Sequence, residues 1–254
     1  MSRVLRLAAA VSALFVAVLP GSAFASAPPP SLAKRCGKSA GGTTFWFAAA
    51  DGARLDGATL GSGRTGVVLA TEYPAELCRW LPEALVLEKR GFRVLLFDFR
   101  GFGLSPQPAA AKQGRFVDDV VGAARELRAR GASRVYLMGA SLGATTSIIA
   151  ATRVKPVVAG VVSLSGEANL NGYVAQTGLD ALSAAKHVKV PVLYATARDD
   201  PLTPPADVAH LRAALRSRGS RVEVFPGSYH GWDLLYFAPY RARVDRLIRG
   251  FLTR

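Results

Sequence analysis

The chain has 254 residues, of which 50% are hydrophobic and 20% charged, with two cysteines and three histidines. That composition excludes a disordered or low-complexity chain, a disulfide-built miniprotein and a metal module rich in His and Cys, and it suits one α/β domain with a sizeable core. The formal net charge is +14, but the arginines are scattered over helical segments and not gathered with aromatics into a groove. The charge therefore reads as a solvated surface open to anionic envelope components, with no nucleic-acid partner expected.

The chain begins Met-Ser-Arg-Val-Leu-Arg, continues through an apolar run from Leu7 to Leu19 and reaches small residues at Ala23-Phe24-Ala25. A basic start, a short hydrophobic run and a small-x-small site predict a signal peptide over residues 1–25, cut before Ser26, and a secreted or envelope destination. Pro20 and Gly21 stop the run early, which disfavours the rival reading of an uncleaved anchor helix, so no stable membrane anchor is expected. Residues 26–42 are rich in Ala, Pro, Ser and Lys without apolar periodicity and read as a loose leader; the folded domain is expected over 43–254. In an oxidising compartment Cys36 and Cys78 are expected to pair, tying the leader to the segment after the third strand. Neither cysteine has metal-ligand spacing, and His187, His210 and His230 are dispersed, so no metal site is expected.

From residue 43 onward the pattern alternates. Residues 44–47 and 54–60 flank Asp51-Gly52 as a hairpin, and 66–70 is a buried strand. A helix over 81–90 stops at Gly91, and 93–97 is apolar after Arg93, as a strand covered on both faces should be. Residues 116–130 form an amphipathic helix with Phe116, Val117, Val120, Val121, Ala124 and Leu127 inward. Further strands are predicted over 157–164, 190–196 and 221–225, a short helix over 179–186, and longer helices over 206–218 and 239–252. Two hairpin strands followed by alternating β and α units imply a mostly parallel sheet flanked by helices.

The most informative stretch is Val135-Tyr-Leu-Met-Gly-Ala-Ser-Leu-Gly143, an apolar strand that passes into a helix through Gly-Ala-Ser-Leu-Gly. A turn this tight strains Ser141 and holds its hydroxyl clear of the sheet, while Gly139 and Gly143 keep neighbouring backbones from colliding. Together with Asp98-Phe-Arg-Gly-Phe-Gly-Leu-Ser105, this makes the chain resemble the α/β-hydrolase family from about residue 43 to the C-terminus. In the second motif Asp98 and Arg100 read as a structural charge pair fastening the loop.

The resemblance implies a serine hydrolase. Ser141 would be the nucleophile and His230, in Gly227-Ser-Tyr-His-Gly-Trp232, its base. The loop Ala197-Arg-Asp-Asp-Pro-Leu-Thr-Pro204 aligns Asp200 with the family's acid, with Asp199 and Glu167 as alternatives. Oxyanion donors are expected from the N–H groups of Leu142 and Tyr73. Thr71-Glu72 stand where His-Gly is common, and a carboxylate there would oppose catalysis unless it turns away. No cofactor is implied, and the partner is a small-molecule ester. A peptidase or acyltransferase with the same residues, and a catalytically silent binding protein on the same fold, stay open. Residues 165–189 are too few for a helical lid, which implies a minimal cap and short or soluble acyl groups.

Overall fold

The computed structural model describes residues 27–37, 40–172 and 178–253. The signal-peptide reading over 1–25 lies outside them. The strands are β1 (Thr43–Ala48), β2 (Arg54–Leu60), β3 (Thr65–Ala70), β4 (Arg93–Phe97), β5 (Arg134–Ala140), β6 (Gly160–Leu164), β7 (Val192–Ala197) and β8 (Arg221–Phe225). They make one sheet in the order β1-β2-β4-β3-β5-β6-β7-β8. β1 and β2 form the antiparallel hairpin around Asp51-Gly52, β2 pairs antiparallel with β4, and every other pairing is parallel. The inner strands are buried on both faces, which is why their sequences are apolar almost without interruption. β3 leads to β4 on one side and, after the next crossover, to β5 on the other. The carboxyl ends of β3 and β5 therefore flank the switch point where this class of sheet opens a crevice.

Helices α3 (Phe116–Ala129), α4 (Leu142–Ala150), α5 (Ala181–Ala185) and α6 (Pro205–Ala214) cover one face. The other carries α1 (Leu32–Cys36), α2 (Leu81–Lys89), a single turn α7 (Asp233–Tyr236) and α8 (Arg241–Leu252). In α8 the apolar side chains Val244, Ile248, Phe251 and Leu252 face the sheet and are buried, each stabilising the fold by roughly 1.5–3 kcal/mol, while its arginines face water. Among the described residues no helix is long and apolar enough to cross a membrane.

Four expectations differ from what is observed. The described part of the leader is not loose: Ser31 caps α1, Leu32 is buried, and Cys36 is joined to Cys78 by a disulfide with the Cα atoms 5.4 Å apart. Arg35 enters the protein and pairs with Asp56 and, at 2.7 Å, with Asp98. Asp98 and Arg100 do not fasten each other. Asp98 takes Arg35 and the N–H groups of Leu77 and Leu104, whereas Arg100 binds Asp119 at 2.5 Å and Asp51 at 2.9 Å. Helix α6 stops at Ala214, four residues early, because Leu215 leaves helical geometry to stay buried and Ser217 donates to the Val190 carbonyl at 2.5 Å. β6 starts only at Gly160, since Val157 is solvent-exposed.

Candidate active site

Strand β5 delivers Ser141 to the carboxyl edge of the sheet with φ 49° and ψ −120°, the strained geometry expected for the turn. The strain is held in place from both sides. A Cβ on Gly139 would strike the backbone of Gly143, and a Cβ on Gly143 would strike the carbonyl groups of Ala70 and Thr71. The same close approach puts the loop after β3 beside Ser141. Ser141 N–H donates to the Leu164 carbonyl at 2.9 Å, which fixes the turn to β6. As the first residue of α4, Leu142 has no intrahelical acceptor, and neither its N–H nor that of Tyr73 donates to any acceptor among the described residues.

The loops after β7 and β8 bring an acid to a histidine. His230 Nδ1 lies 2.8 and 2.9 Å from the two carboxylate oxygens of Asp200. Asp200 is buried and also accepts from Thr196 Oγ1 at 3.1 Å and from the Leu202 N–H at 3.0 Å, whereas Asp199 points to solvent. Burial alone would raise the proton affinity of Asp200, but bonds from His230, Ser165 and the Leu202 N–H outweigh it and hold the carboxyl below its ordinary value. For His230 burial favours the neutral ring; the bond to Asp200 and the charges of Asp200, Glu167 and Glu72 prevail and hold it above its ordinary value. His187 and His210 lie elsewhere on the surface.

Three comparisons with known proteins agree with this architecture. Residues 73–189 match the family model of the alpha/beta hydrolase fold. Over 94 residues the chain is 36% identical to the 2-(acetamidomethylene)succinate hydrolase of Mesorhizobium japonicum, a stretch covering 37% of this chain and 31% of that protein. An esterase of Pyrococcus furiosus superposes with a TM-score of 0.70 at 19% identity, over 89% of this chain and 97% of its own. This is an α/β-hydrolase fold. A monoacylglycerol lipase of Paleococcus ferrophilus shares it with a TM-score of 0.65 at 22% identity, over 78% of this chain and 98% of its own.

Within that fold the surroundings of Ser141 hold two features the sequence left open. Glu72 is not a bare charge beside the oxyanion donors. Its carboxylate accepts from the Trp232 N–H at 3.1 Å and from Arg79 at 3.2 Å, and Arg79 in turn reaches Asp233 at 3.2 Å and lies over the Trp232 ring. The segment after β3 thus clips the histidine loop. The second feature is Glu167, a weighed alternative for the acid. It does not touch His230 Nδ1; its Oε1 accepts from Ser141 Oγ at 2.8 Å and lies 3.8 Å from His230 Nε2, which has no hydrogen bond among the described residues. Burial pushes the Glu167 carboxyl up, only partly offset by the bonds from Ser141 and Thr145 and by the charge of His230. Thr145, Thr196, Ser165 and Arg79 escaped sequence reading because none belongs to a local motif: each acts by a side-chain contact that only the packed loops bring about. Among the described residues no group of His, Cys, Asp and Glu is arranged to hold a metal.

Proposed function

We propose that the protein is an exported serine hydrolase that cleaves carboxylic esters through Ser141, His230 and Asp200. The observation that carries this reading is the buried Asp200 carboxylate bonded to His230 Nδ1 at 2.8 Å, with the free Nε2 in the same enclosure as a strained serine on a glycine-flanked elbow. In acylation Ser141 turns its hydroxyl from Glu167 to His230 Nε2, and Oγ attacks the carbonyl carbon as its proton passes to Nε2. The negative oxygen is stabilised by the N–H groups of Leu142 and Tyr73, at the positive end of α4. The proton on Nε2 goes to the leaving alkoxide as the ester C–O bond breaks. Water, activated by the same nitrogen, then releases the acid and restores Ser141. Asp200 keeps the ring in the tautomer with its proton on Nδ1 and supports its transient charge.

Similarity to an esterase and to a hydrolase of a small acid favours small-molecule substrates. The short connection between β6 and α5, closed by the bridge between Asn169 and Asp180, favours short or soluble acyl groups. The Glu72 carboxylate is paired with Arg79 and bonded by the Trp232 N–H, which weakens the main argument for a silent fold.

The test is labelling with a fluorophosphonate probe and peptide mapping, followed by a p-nitrophenyl ester series from acetate to palmitate. Ser141 is expected to carry the label, with fastest turnover on short chains. A label elsewhere, or none, would overturn the nucleophile; a long-chain optimum would overturn the reading of substrate size.

A further inference from the structure

Glu167 is the group in contact with Ser141 for which ester hydrolysis by the triad has no use. A carboxylate so enclosed is unfavourable unless something charged or donating meets it. Yet the surrounding fold is built to present it. Ser165 takes a positive φ of 51° to turn the chain after β6, and its N–H is held by the Ala195 carbonyl at 2.7 Å. Tyr194 donates to the Gly166 carbonyl at 2.8 Å. Thr145 bonds both the Glu167 carbonyl, at 3.1 Å, and Oε2, at 2.9 Å. One carboxylate oxygen is thereby fixed, and the other, Oε1, is aimed at the nucleophile.

That bond cannot survive the reaction. When the Ser141 hydroxyl turns to His230 Nε2, Oε1 loses its donor at the moment the acyl group arrives, and an unmet buried acceptor opposes the step. A donor on the substrate, close to the carbon that Oγ attacks, would replace the lost one. An amine on the carbon next to the carbonyl lies about 2.5 Å from the attacked atom, and Oε1 lies 2.8 Å from Oγ before the hydroxyl turns, so a hydrogen bond between amine and carboxylate is within the span of the two distances. A positive charge there also suits the local balance. Although the chain as a whole carries +14, among the described residues His230 is the one basic group paired with Glu167 and Asp200, and Arg79 is already shared by Glu72 and Asp233. We infer that Glu167 selects acyl groups with a protonated amine on the carbon next to the ester carbonyl, so that the preferred substrates are α-aminoacyl esters.

This inference rests on the serine-hydrolase reading, and its test separates the two. Alanine methyl ester and methyl 2-methylpropanoate differ only by an ammonium or a methyl group on that carbon. At about pH 7 most of the amine is protonated. Divided by the same ratio for alkaline hydrolysis without enzyme, which removes the inductive activation of the ester by the ammonium, the ratio of their kcat/KM values on the full chain is expected to favour the alanine ester by at least about tenfold, the range of a charge-assisted hydrogen bond. In Glu167→Gln the ratio is expected to fall to about one whatever happens to the absolute rates, and in Glu167→Asp it should stay above one. Fluorophosphonate labelling of Ser141 is run on the same preparation. Labelled wild-type enzyme that shows no amine preference, or turns over neither ester, refutes the substrate inference alone, as does a preference that survives Glu167→Gln. Failure of Ser141 to label refutes the hydrolase reading itself.

Discussion

The most exacting consequence of the fold is that Arg35, from the segment read as a loose leader, neutralises two carboxylates beneath the sheet's first crossover. Asp56 and Asp98 are fully buried, and the Arg35 side chain is 8% exposed. In Arg35→Met the loss falls mainly on Asp56. Asp98 keeps the N–H donors of Leu77 and Leu104, but Asp56 Oδ1 has no hydrogen-bond partner among the described residues and Oδ2 would lose its guanidinium. Burial, joined by the charge of Asp98, already raises Asp56 against the pull of Arg35, so without Arg35 it must bind a proton to remain inside. Burial has already raised Asp56 to about 7 with Arg35 present, so the protonation cost is largely common to both proteins, and the loss expected in the variant is that of a buried pair broken by removing one partner, ~3–5 kcal/mol. The sign follows from linkage. A carboxyl raised in the folded state contributes stability that is lost as pH rises through its folded value; wild type and variant share that loss up to about pH 7, so the Asp56 part of the variant's deficit should be smallest in acid and grow as pH rises through about 7. The assay is urea unfolding of both proteins, non-reduced, from about pH 4 to about pH 8. Arg35→Met/Asp56→Asn should recover most of the loss at neutral pH. A deficit below about 1 kcal/mol at pH 7, or one independent of pH, would refute the reasoning.

Four further outcomes are expected. Asp200→Asn should lower kcat on a short p-nitrophenyl ester by about 10⁴-fold and Asp199→Asn hardly at all; the reverse ranking would reassign the acid. The pH profile of kcat/KM should rise as His230 becomes neutral, with a midpoint above the ordinary histidine value of about 6.5, because Asp200, Glu167 and Glu72 stabilise its charged form. A midpoint below that value would contradict the geometry. Gly143→Ala should cost at least about 2 kcal/mol in denaturant unfolding and abolish probe labelling, since the added methyl must displace the carbonyls of Ala70 and Thr71; normal labelling would show a more tolerant turn. Reduction of the Cys36–Cys78 bridge, which spans 42 residues, should lower unfolding free energy by roughly 2–4 kcal/mol, read by comparing unfolding with and without reductant.

The parts of this protein that sequence determines by itself are those written in local pattern. Apolar periodicity placed the eight strands and the main helices, because covering a parallel sheet on both faces demands uninterrupted apolar runs between amphipathic helices. The spacing Gly-Ala-Ser-Leu-Gly announced the turn at Ser141, because backbone collision in so tight a bend leaves no other residue at the flanks. What tertiary structure decided are the pairings between polar groups far apart in the chain. Asp98 and Arg100 stand two residues apart yet answer to Arg35 and Asp119, because both lie past the end of β4 at Phe97, where the chain leaves the strand and no longer keeps positions two apart on one face. Asp199 and Asp200 have the same chemistry; the register of their loop pointed to Asp200 only through a family resemblance, and what the fold adds is the burial and the bond to His230 that set the two apart. Glu167 could not be assigned from its place after β6, since its role depends on which side of the histidine ring it meets, and that is fixed by how α4, β6 and the loop after β8 pack together. Hydrophobic order is encoded locally; charge partners are chosen by the fold.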